Sequence, residues 1–259
     1  MDFLALSDTG RSNFATHFLN RLAAGFDFAW YILPPQGRSG GMLVGFNRST
    51  LQVKNVNVGD FLIKFHLRSL RDGFEWALVP VYGASQDERK SEFLSELVRM
   101  GSTESLPMLV GGDFNILRKK EGKNNDNFNP RWPFLFNAII QSLDLREIDL
   151  SGRQFTWDNR RDTPTFEKLD RVLTSVEWEQ KFPLVTVRTL TRTGSDHTPL
   201  LLDSGNHAHI GNNPCFSFEL SWLNQEGFYD MIAAEWAAIV CGDTPIERWL
   251  NKIRHLRHF

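Results

Sequence analysis

The chain has 259 residues, 41% of them hydrophobic, and a formal net charge of −2 at pH 7. This length suits one domain of ordinary size with an appendage, and such a domain can bury a sizeable core. The near-neutral charge excludes nucleic-acid binding through a positive field over the whole surface, although a local basic groove stays open.

The sequence carries few targeting or redox signals. The N-terminal MDFLALSDTG has neither the basic region nor the long apolar run of a signal peptide, and no stretch of about 18 apolar residues predicts a membrane span. The two cysteines, Cys215 and Cys241, match neither a disulfide framework nor a paired zinc spacing. They favour a reducing, intracellular compartment.

The first third of the chain predicts short strands in series. A buried strand at 3–6 opens the sequence without a preceding element, which predicts a truncated domain, and a helix follows near 13–24. The turn signals QGRSGG and LRDGFE separate further apolar or alternating runs. These runs predict strands at 28–33, 41–46, 62–67 and 75–81.

The middle of the chain alternates helices with strands. In YGASQDERKSEFLSELVRM, Ser85 and Glu88 predict the capping box of a helix. The apolar face of this helix consists of Phe93, Leu94, Leu97 and Val98. LPMLVGGDFNIL predicts a buried strand, WPFLFNAIIQSLDL a second amphipathic helix, and FTWDNR, KLDRVLTS and VTVRTLTR further strands. This order favours a layered α/β sandwich with mixed sheets.

The composition changes after Asp203. The polar stretch SGNHAHIGNNPC predicts a linker, and two helical patterns follow at 225–240 and 245–259. We therefore predict a domain at 1–204, a linker at 205–224 and a helical extension at 225–259.

Polar residues interrupt the predicted strands at four places. In LVGGDFNIL, Asp113 and Asn115 share one face of a strand, which is costly in a buried position unless the pair is used. The alternative is a turn capped by these two side chains. In GSDHTPL, Asp196 and His197 precede an apolar run, and histidine exchanges protons near neutral pH. The alternative there is a loop capped by Ser195 or Asp196.

Asp170 in KLDRVLTS and Tyr82 in PVYGAS are weaker candidates when each is taken alone. An Asp–Arg surface pair and a buried tyrosine with a partner for its hydroxyl are the simpler interpretations. The set Asp8, Asp113, Asp170 and Asp196, however, is rich in carboxylates and free of thiolates. Such a set favours a hard cation such as Mg²⁺, and with an amide and an imidazole it suits attack by water on a phosphate ester.

The motifs GGDFN, LDRVLTS and SDHTPL, in this order, resemble those of the endonuclease/exonuclease/phosphatase superfamily, whose fold is deoxyribonuclease-I-like. PPQGRSGGMLVGFN, FTWDNRR and the tail PIERWLNKIRHLRHF are similar to the endonuclease region of plant non-LTR, LINE-type retrotransposons. The resemblance implies a four-layer α/β sandwich with two packed mixed β-sheets, followed by a helical C-terminal extension towards a reverse transcriptase domain. The family's opening strand, of the type SWNVRG, has no counterpart, which implies that the first strand is missing.

The resemblance also implies roles for individual residues. His197 matches the histidine that contacts the scissile phosphate, Asp170 its orienting partner, and Asp113 the acid that activates water or protonates the leaving oxygen. Asn115 matches an amide that stabilises the transition state, and Tyr82 a phosphate-contacting tyrosine. The family's metal ligands fall on two further positions, Asp196 and Asp8; Asp8 in LSDT replaces the glutamate of the family's QET.

The implied activity is Mg²⁺-dependent nicking of DNA that leaves a 3′ hydroxyl, with Mn²⁺ as the alternative cation. The truncation is expected to impair this activity, and the family implies a nuclear location. No membrane partner is expected, and nothing in the sequence indicates an oligomer. One alternative is a catalytically dead nucleic-acid-binding remnant that grips DNA through a basic loop; the residues are Lys119, Lys120, Lys123, Arg131 and Trp132. A solvated surface turn is the simpler interpretation of this loop. The other alternative is a phosphatase of the same fold that acts on small phosphoesters.

Overall fold

The computed structural model describes residues 1–35, 40–205, 227–238 and 244–258. The chain divides into two compact units, Met1–Asn206 and His207–Phe259. The predicted linker at 205–224 lies, apart from Gly205, outside the described residues.

The first unit is built from short strands with a few helices between them. Its strands are β1 (Phe3–Ser7), β2 (Phe28–Leu33), β3 (Met42–Asn47), β4 (Leu51–Val58), β5 (Ile63–Ser69), β6 (Glu75–Tyr82), β7 (Met108–Asp113), β8 (Leu145–Glu147), β9 (Leu150–Ser151), β10 (Trp157–Asp158), β11 (Phe166–Glu167), β12 (Asp170–Ser175), β13 (Thr186–Thr189) and β14 (Leu200–Asp203). Its helices are α1 (Thr16–Leu22), α2 (Lys90–Ser102), α3 (Arg131–Ser142) and α4 (Val176–Lys181). The second unit contributes α5 (Phe228–Ala237) and α6 (Pro245–His258).

A six-stranded sheet in the order β4-β5-β6-β7-β12-β8 forms the centre of the first unit. Within it β6 and β7 run parallel and are joined through α2, whereas the other neighbours are antiparallel. Two three-stranded sheets, β1-β3-β2 and β14-β13-β9, and the short hairpin β10-β11 complete the strand pairing.

Each face of the central sheet covers its own apolar core. On one face the helices α2 and α3 pack through fully buried side chains such as Phe93 and Phe136. On the other face the two small sheets pack through residues such as Phe46 and Val187 against Phe65. The prediction of a mixed α/β fold with packed sheets and C-terminal helices is confirmed, although the second sheet layer is divided in two.

Several local predictions differ from the structure. The capping box at Ser85 is wrong, because a 3-10 turn at Asp87–Arg89 precedes α2, whose first turn has no side-chain cap. Strand β4 was not predicted. It lies at the exposed edge of the sheet, so apolar and polar residues alternate only weakly along it. FTWDNR forms only the two-residue strand β10, and Val98 is half-buried outside the main cores.

The helices of the second unit are amphipathic or apolar and short. Thr244 and Glu247 form a reciprocal capping box at the start of α6, with hydrogen bonds of 3.1 and 3.2 Å. Among the described residues, no helix is both long enough and apolar enough to cross a membrane.

Candidate active site

Three of the predicted site residues form one row across the central sheet. In the strand register Asp113 lies opposite Tyr82 on β6 and opposite Asp170 on β12. Residues that are direct neighbours on adjacent strands point to the same face. The row lies where β6 and β7 end and β12 begins, so the loops at this edge of the sheet surround it.

Asn115 is fixed beside Asp113 by three hydrogen bonds. Its backbone N–H donates to Oδ1 of Asp113, and its side-chain nitrogen donates to Oδ2 of Asp113 and to the carbonyl of Gly83, each at 2.9 Å. Asn115 adopts a left-handed φ of 51°, a conformation that asparagine tolerates better than most residues. Both amide hydrogens are therefore engaged, so the amide must release one of them before it can serve as the predicted transition-state donor.

The loop before β14 brings His197 to this row. The imidazole Nδ1 lies 2.9 Å from Oδ2 of Asp170, and Nε2 lies 3.7 Å from Oδ2 of Asp113. The backbone N–H of His197 also donates to the hydroxyl of Ser195 at 3.1 Å, as the capped-loop alternative for GSDHTPL proposed. The cap and the site thus coexist, because the cap occupies the backbone and leaves the ring free to face the two carboxylates.

Burial and neighbouring charge shift the pKa values of both central groups. Burial, together with the charge of Asp170, raises the pKa of Asp113 to about 7. Burial opposes the charged imidazole of His197, but the hydrogen bond and charge of Asp170, with contributions from Asp113 and Asp196, raise its pKa to about 9. Near neutral pH the site therefore holds an imidazolium next to a carboxyl group that exchanges its proton readily.

Asp8 and Asp196, the two predicted metal ligands, flank this row. Asp8 follows β1 with a left-handed φ of 51°, and its Oδ1 accepts the N–H of Gly40 at 2.8 Å. Burial raises the pKa of Tyr82, and the carboxylates of Asp8, Asp113 and Asp196 raise it further. The phenol of Tyr82 is thus a shared neighbour of three acids and stays protonated at ordinary pH.

The donor set fits a divalent cation of the hard type. Asp113, Asp170 and His197 each place one candidate ligand atom within 4.8 Å of the others. Burial and the charge of Asp170 oppose ionisation of Asp113 and raise its pKa, and a cation bound nearby would favour the ionised carboxylate. Among the described residues, Asp8 and Asp196 do not belong to this group of ligand atoms, so their role as metal ligands stays a prediction.

Trp157 is a site residue that sequence reasoning missed. Its indole Nε1 donates to Oδ2 of Asp196 at 3.0 Å, and its backbone forms an isolated antiparallel bridge with His197. The neighbouring Asp158 donates its backbone N–H to the carbonyl of Asp196 at 3.2 Å and forms a salt bridge with Arg192. The only signal in the sequence was the motif FTWDNR itself, from which we predicted a strand but no function for Trp157.

Thr156 connects the backbones that carry the two residues of the His197–Asp170 dyad. Its hydroxyl accepts the backbone N–H groups of Leu169 and Asp170, each at 3.0 Å, while its carbonyl accepts the N–H of Thr198 at 2.7 Å. The residue is buried, so these bonds are shielded from water. One residue therefore anchors the start of β12 and the residue that follows His197.

Arg171 fastens the loops beneath the site. The residue is 3% exposed, its guanidinium donates to the carbonyls of Ile116, Leu169 and Lys168, and burial lowers its pKa to about 10. Its guanidinium lies 3.5 Å from Glu147, which also binds Arg118 and Lys168. The simpler interpretation of Asp170 as half of an Asp–Arg surface pair is therefore wrong, because Arg171 is committed to the interior.

The basic loop is only partly available to a ligand. Lys119 and Lys120 are exposed, and Lys120 lies 2.7 Å from Asp126. Lys123 is mostly buried and lies 2.7 Å from Glu167. The guanidinium of Arg131 lies 4.6 Å above the ring of Trp132, which is itself 7% exposed. Trp132 is thus a core residue of α3 rather than a ring that offers a face to a base.

Comparison with known proteins agrees with this geometry. The model of the Endonuclease/Exonuclease/phosphatase family matches residues 1–197. No curated protein matches the sequence. Among solved structures, the endonuclease domain of TRAS1, a telomere-specific non-LTR retrotransposon, is 18% identical with a TM-score of 0.54, and the match covers 69% of this chain and 79% of that chain.

Two further solved structures share the fold at the same TM-score of 0.54. The beta toxin of Staphylococcus aureus is 14% identical, and the match covers 78% of this chain and 86% of that chain. An endonuclease/exonuclease/phosphatase from Bacteroides vulgatus is 13% identical, with coverage of 78% and 84%. At these identities the likeness shows the fold alone.

Proposed function

The chain belongs to the endonuclease/exonuclease/phosphatase family, and on this basis we propose that it is a divalent-metal-dependent phosphodiesterase that nicks DNA. The observation that carries the proposal is the cluster of His197, Asp170 and Asp113 at the end of the central sheet. A buried acid with a pKa of about 7 next to an imidazolium provides both a base and a cationic donor at neutral pH.

The geometry supports a direct attack of water on the phosphodiester. Asp113 takes a proton from the water, whose oxygen bonds to phosphorus while the bond from phosphorus to O3′ breaks. Because Nδ1 of His197 is held by Asp170, Nε2–H is the donor that meets a non-bridging oxygen of the phosphate. O3′ leaves as a hydroxyl after taking a proton from solvent, and Asp113 returns its own proton to solvent.

A divalent cation completes this proposal. We assign Mg²⁺, with Mn²⁺ as the alternative, to the carboxylates of Asp8 and Asp196, which leaves Asp113 as the base; when bound, the cation would neutralise charge on the phosphate. Tyr82, kept protonated by its acidic neighbours, would donate its hydroxyl hydrogen to a phosphate oxygen. Asp170 orients His197 and holds the imidazolium form.

We propose that the substrate is the DNA into which a retroelement inserts. The likeness to the endonuclease domain of a non-LTR retrotransposon supports this choice, as do the exposed lysines Lys119 and Lys120. The proposal includes a plant LINE-type origin, a reverse transcriptase domain in the parent element and a nuclear location. A product with a free 3′ hydroxyl would then prime reverse transcription.

Nicking of supercoiled plasmid tests the proposal. The full chain is assayed in Mg²⁺ and in EDTA, together with His197→Ala and the control His17→Ala, which removes an exposed histidine of α1. We expect conversion of supercoiled to open-circular plasmid only in Mg²⁺, and only with the wild type and the control variant. Extension of the nick by a DNA polymerase identifies the 3′ hydroxyl.

The same assay separates the alternatives. If His197→Ala nicks as fast as the wild type, the proposed site is refuted. If the folded wild type binds DNA in a salt-dependent way without cutting it, the chain is a binding remnant. If it releases phosphate from soluble monoesters and leaves plasmid intact, it is a phosphatase.

A further inference from the structure

The loop between β13 and β14 carries two of the predicted site residues, Asp196 and His197. At its base the N–H of Leu190 donates to the carbonyl of Pro199 at 2.8 Å, which closes the loop. Its tip at 193–195 is exposed, and Gly194 there has a left-handed φ of 75°. A loop with an exposed tip has little packed surface, so hydrogen bonds determine where it holds the two site residues.

Arg192 joins the start of this loop to the end that carries Asp196. Its Nη1 donates to the carbonyl of Asp196 at 3.0 Å and also forms an ion pair with Oδ2 of Asp158 on β10. A guanidinium Nη carries two hydrogens, so both bonds can form at once. The backbone N–H of Asp158 donates to the same carbonyl at 3.2 Å. The carbonyl of Asp196 thus has two donors, and the ion pair connects their residues to each other.

Asp158 links the β10–β11 hairpin to the loop at a second point. Its Oδ1 accepts the N–H of Arg160 at 2.9 Å, and the side chain of Arg160 donates to the carbonyl of Gly194 at 2.9 Å. Asp158 is only 5% exposed, so loss of Arg192 would leave a buried carboxylate without its ion-pair partner. Such a loss costs far more than the loss of an ion pair on the surface.

The bonds at the carbonyl of Asp196 also fix the peptide group that joins Asp196 to His197. Arg192 and Asp158 hold the carbonyl of this group, and its N–H, which belongs to His197, donates to the hydroxyl of Ser195 at 3.1 Å. A peptide group is planar and includes both flanking Cα atoms. Because it is held at both ends, it fixes the points from which the carboxylate of Asp196 and the imidazole of His197 leave the backbone.

We propose that Asp158 and Arg192 are positioning residues of the active site. Their ion pair holds the peptide between Asp196 and His197, so that both side chains reach their places, and neither Asp158 nor Arg192 contacts the substrate. The inference rests on the proposed function and deepens it, because Nε2 of His197, 3.7 Å from Oδ2 of Asp113, must meet a phosphate oxygen at a defined point. A shift of the peptide would displace this nitrogen and the carboxylate of Asp196 together.

Steady-state nicking of supercoiled plasmid by the full chain in Mg²⁺ tests the proposal. We expect Arg192→Gln to lower kcat about 100-fold with KM within about twofold of the wild type, the effect of a displacement of roughly 1 Å. Asp158→Asn, which keeps one acceptor oxygen, should lower kcat about tenfold, and Arg192→Lys, which keeps the charge, should recover about tenfold of the loss. Arg188→Ala, which removes an exposed arginine of β13, is the control and should nick like the wild type.

The double variant Asp158→Asn/Arg192→Gln shows whether the two residues act as one unit. Because both substitutions break the same ion pair, the double variant should be no slower than Arg192→Gln alone. Circular dichroism checks that each variant is folded, and the isosteric Asp158→Asn keeps the test decisive if Arg192→Gln does not fold. An unchanged kcat, a loss confined to KM, or losses that multiply in the double variant would overturn the inference.

Amide hydrogen exchange in EDTA, followed by NMR, tests the positioning without catalysis. The N–H of Asp158 reports on its bond to the carbonyl of Asp196, and the amide of Leu109 in the core of β7 serves as the reference. Relative to Leu109, exchange at Asp158 should be at least about tenfold faster in Arg192→Gln and unchanged in Arg188→Ala. If the wild type never nicks but this difference is present, the proposed function fails and the positioning stands. Equal exchange in the two variants would refute the positioning whether or not the protein nicks DNA.

Discussion

The imidazole Nδ1 of His197 lies 2.9 Å from the carboxylate Oδ2 of Asp170, although 27 positions separate the two residues in the chain. Thr156 sets this distance, because its hydroxyl holds the backbone of Asp170 and its carbonyl holds the backbone of Thr198. The dyad is therefore a product of three chain segments that meet, and changes in any of them should alter its chemistry.

The first prediction concerns the protonation of His197 in the metal-free protein. Asp170 holds the imidazolium, so NMR titration in EDTA should place its pKa near 9, and Asp170→Asn should lower it towards the ordinary value of 6.5. A folded-state pKa above the unfolded value stabilises the protein below pH 6.5, and this stabilisation is lost as pH rises through about 9. An unchanged titration in Asp170→Asn would contradict the assigned role.

The second prediction concerns Trp157. Trp157→Phe keeps an aromatic ring but removes the hydrogen bond to Asp196, so the carboxylate is no longer held in one orientation. We expect kcat for plasmid nicking to fall about tenfold, while the free energy of unfolding changes by only about 1 kcal/mol, as for one hydrogen bond. Trp30→Phe, a half-buried tryptophan of β2, is the control. Equal activity of the two variants would mean that Asp196 needs no such support.

The third prediction uses two adjacent glycines of β7. Gly112 has a φ of 142°, and a Cβ there would lie 2.1 Å from the carbonyl oxygen of Val81. At Gly111 the nearest atom would be 3.5 Å away, an ordinary contact. We expect Gly112→Ala to lower the free energy of unfolding in urea by at least ~3 kcal/mol and Gly111→Ala by no more than ~1 kcal/mol. Similar losses for both variants would show that the backbone at Gly112 relaxes.

The fourth prediction concerns an ion cluster remote from the site. Burial opposes ionisation of Glu104, but the N–H of Leu106 and the contacts with Lys64 and His66 at 2.9 and 2.8 Å lower its pKa to about 2. A lowered pKa stabilises the fold above pH 4.5, and this contribution is lost as pH falls through about 2.

Glu104→Gln should therefore lower Tm clearly at pH 7, and the difference from the wild type should shrink as the pH approaches 2. Glu88→Gln, at an exposed residue just before α2, should have little effect on Tm at any pH. Thermal unfolding followed by circular dichroism at several pH values measures both. A difference that is independent of pH would show that the charge of Glu104 contributes nothing.

The motifs of the sequence predicted the architecture and the central groups of the site because each motif lies within one strand or one loop. Periodicity placed Asp113 and Asn115 on one face of a strand, which is wrong, because β7 ends at Asp113 and Asn115 adopts a left-handed φ of 51°. The alternative of a capped turn holds, since the N–H of Asn115 donates to Oδ1 of Asp113. Trp157 and Thr156 could not be assigned, because their roles depend on partners far along the chain that periodicity does not reveal. Trp132 shows the converse, since an aromatic residue beside basic ones suggested a surface while packing placed it in the core.

Tyr82, Asp113 and Asp170 occupy one transverse row of the central sheet, and backbone hydrogen bonds between three neighbouring strands maintain that row. The spacing of these three side chains therefore does not depend on the loops at this edge of the sheet. Two other side chains of the site, Asn115 and His197, lie in those loops. For protein engineering, a loop exchanged between relatives must therefore keep these two positions, whereas the rest of its length is open to change.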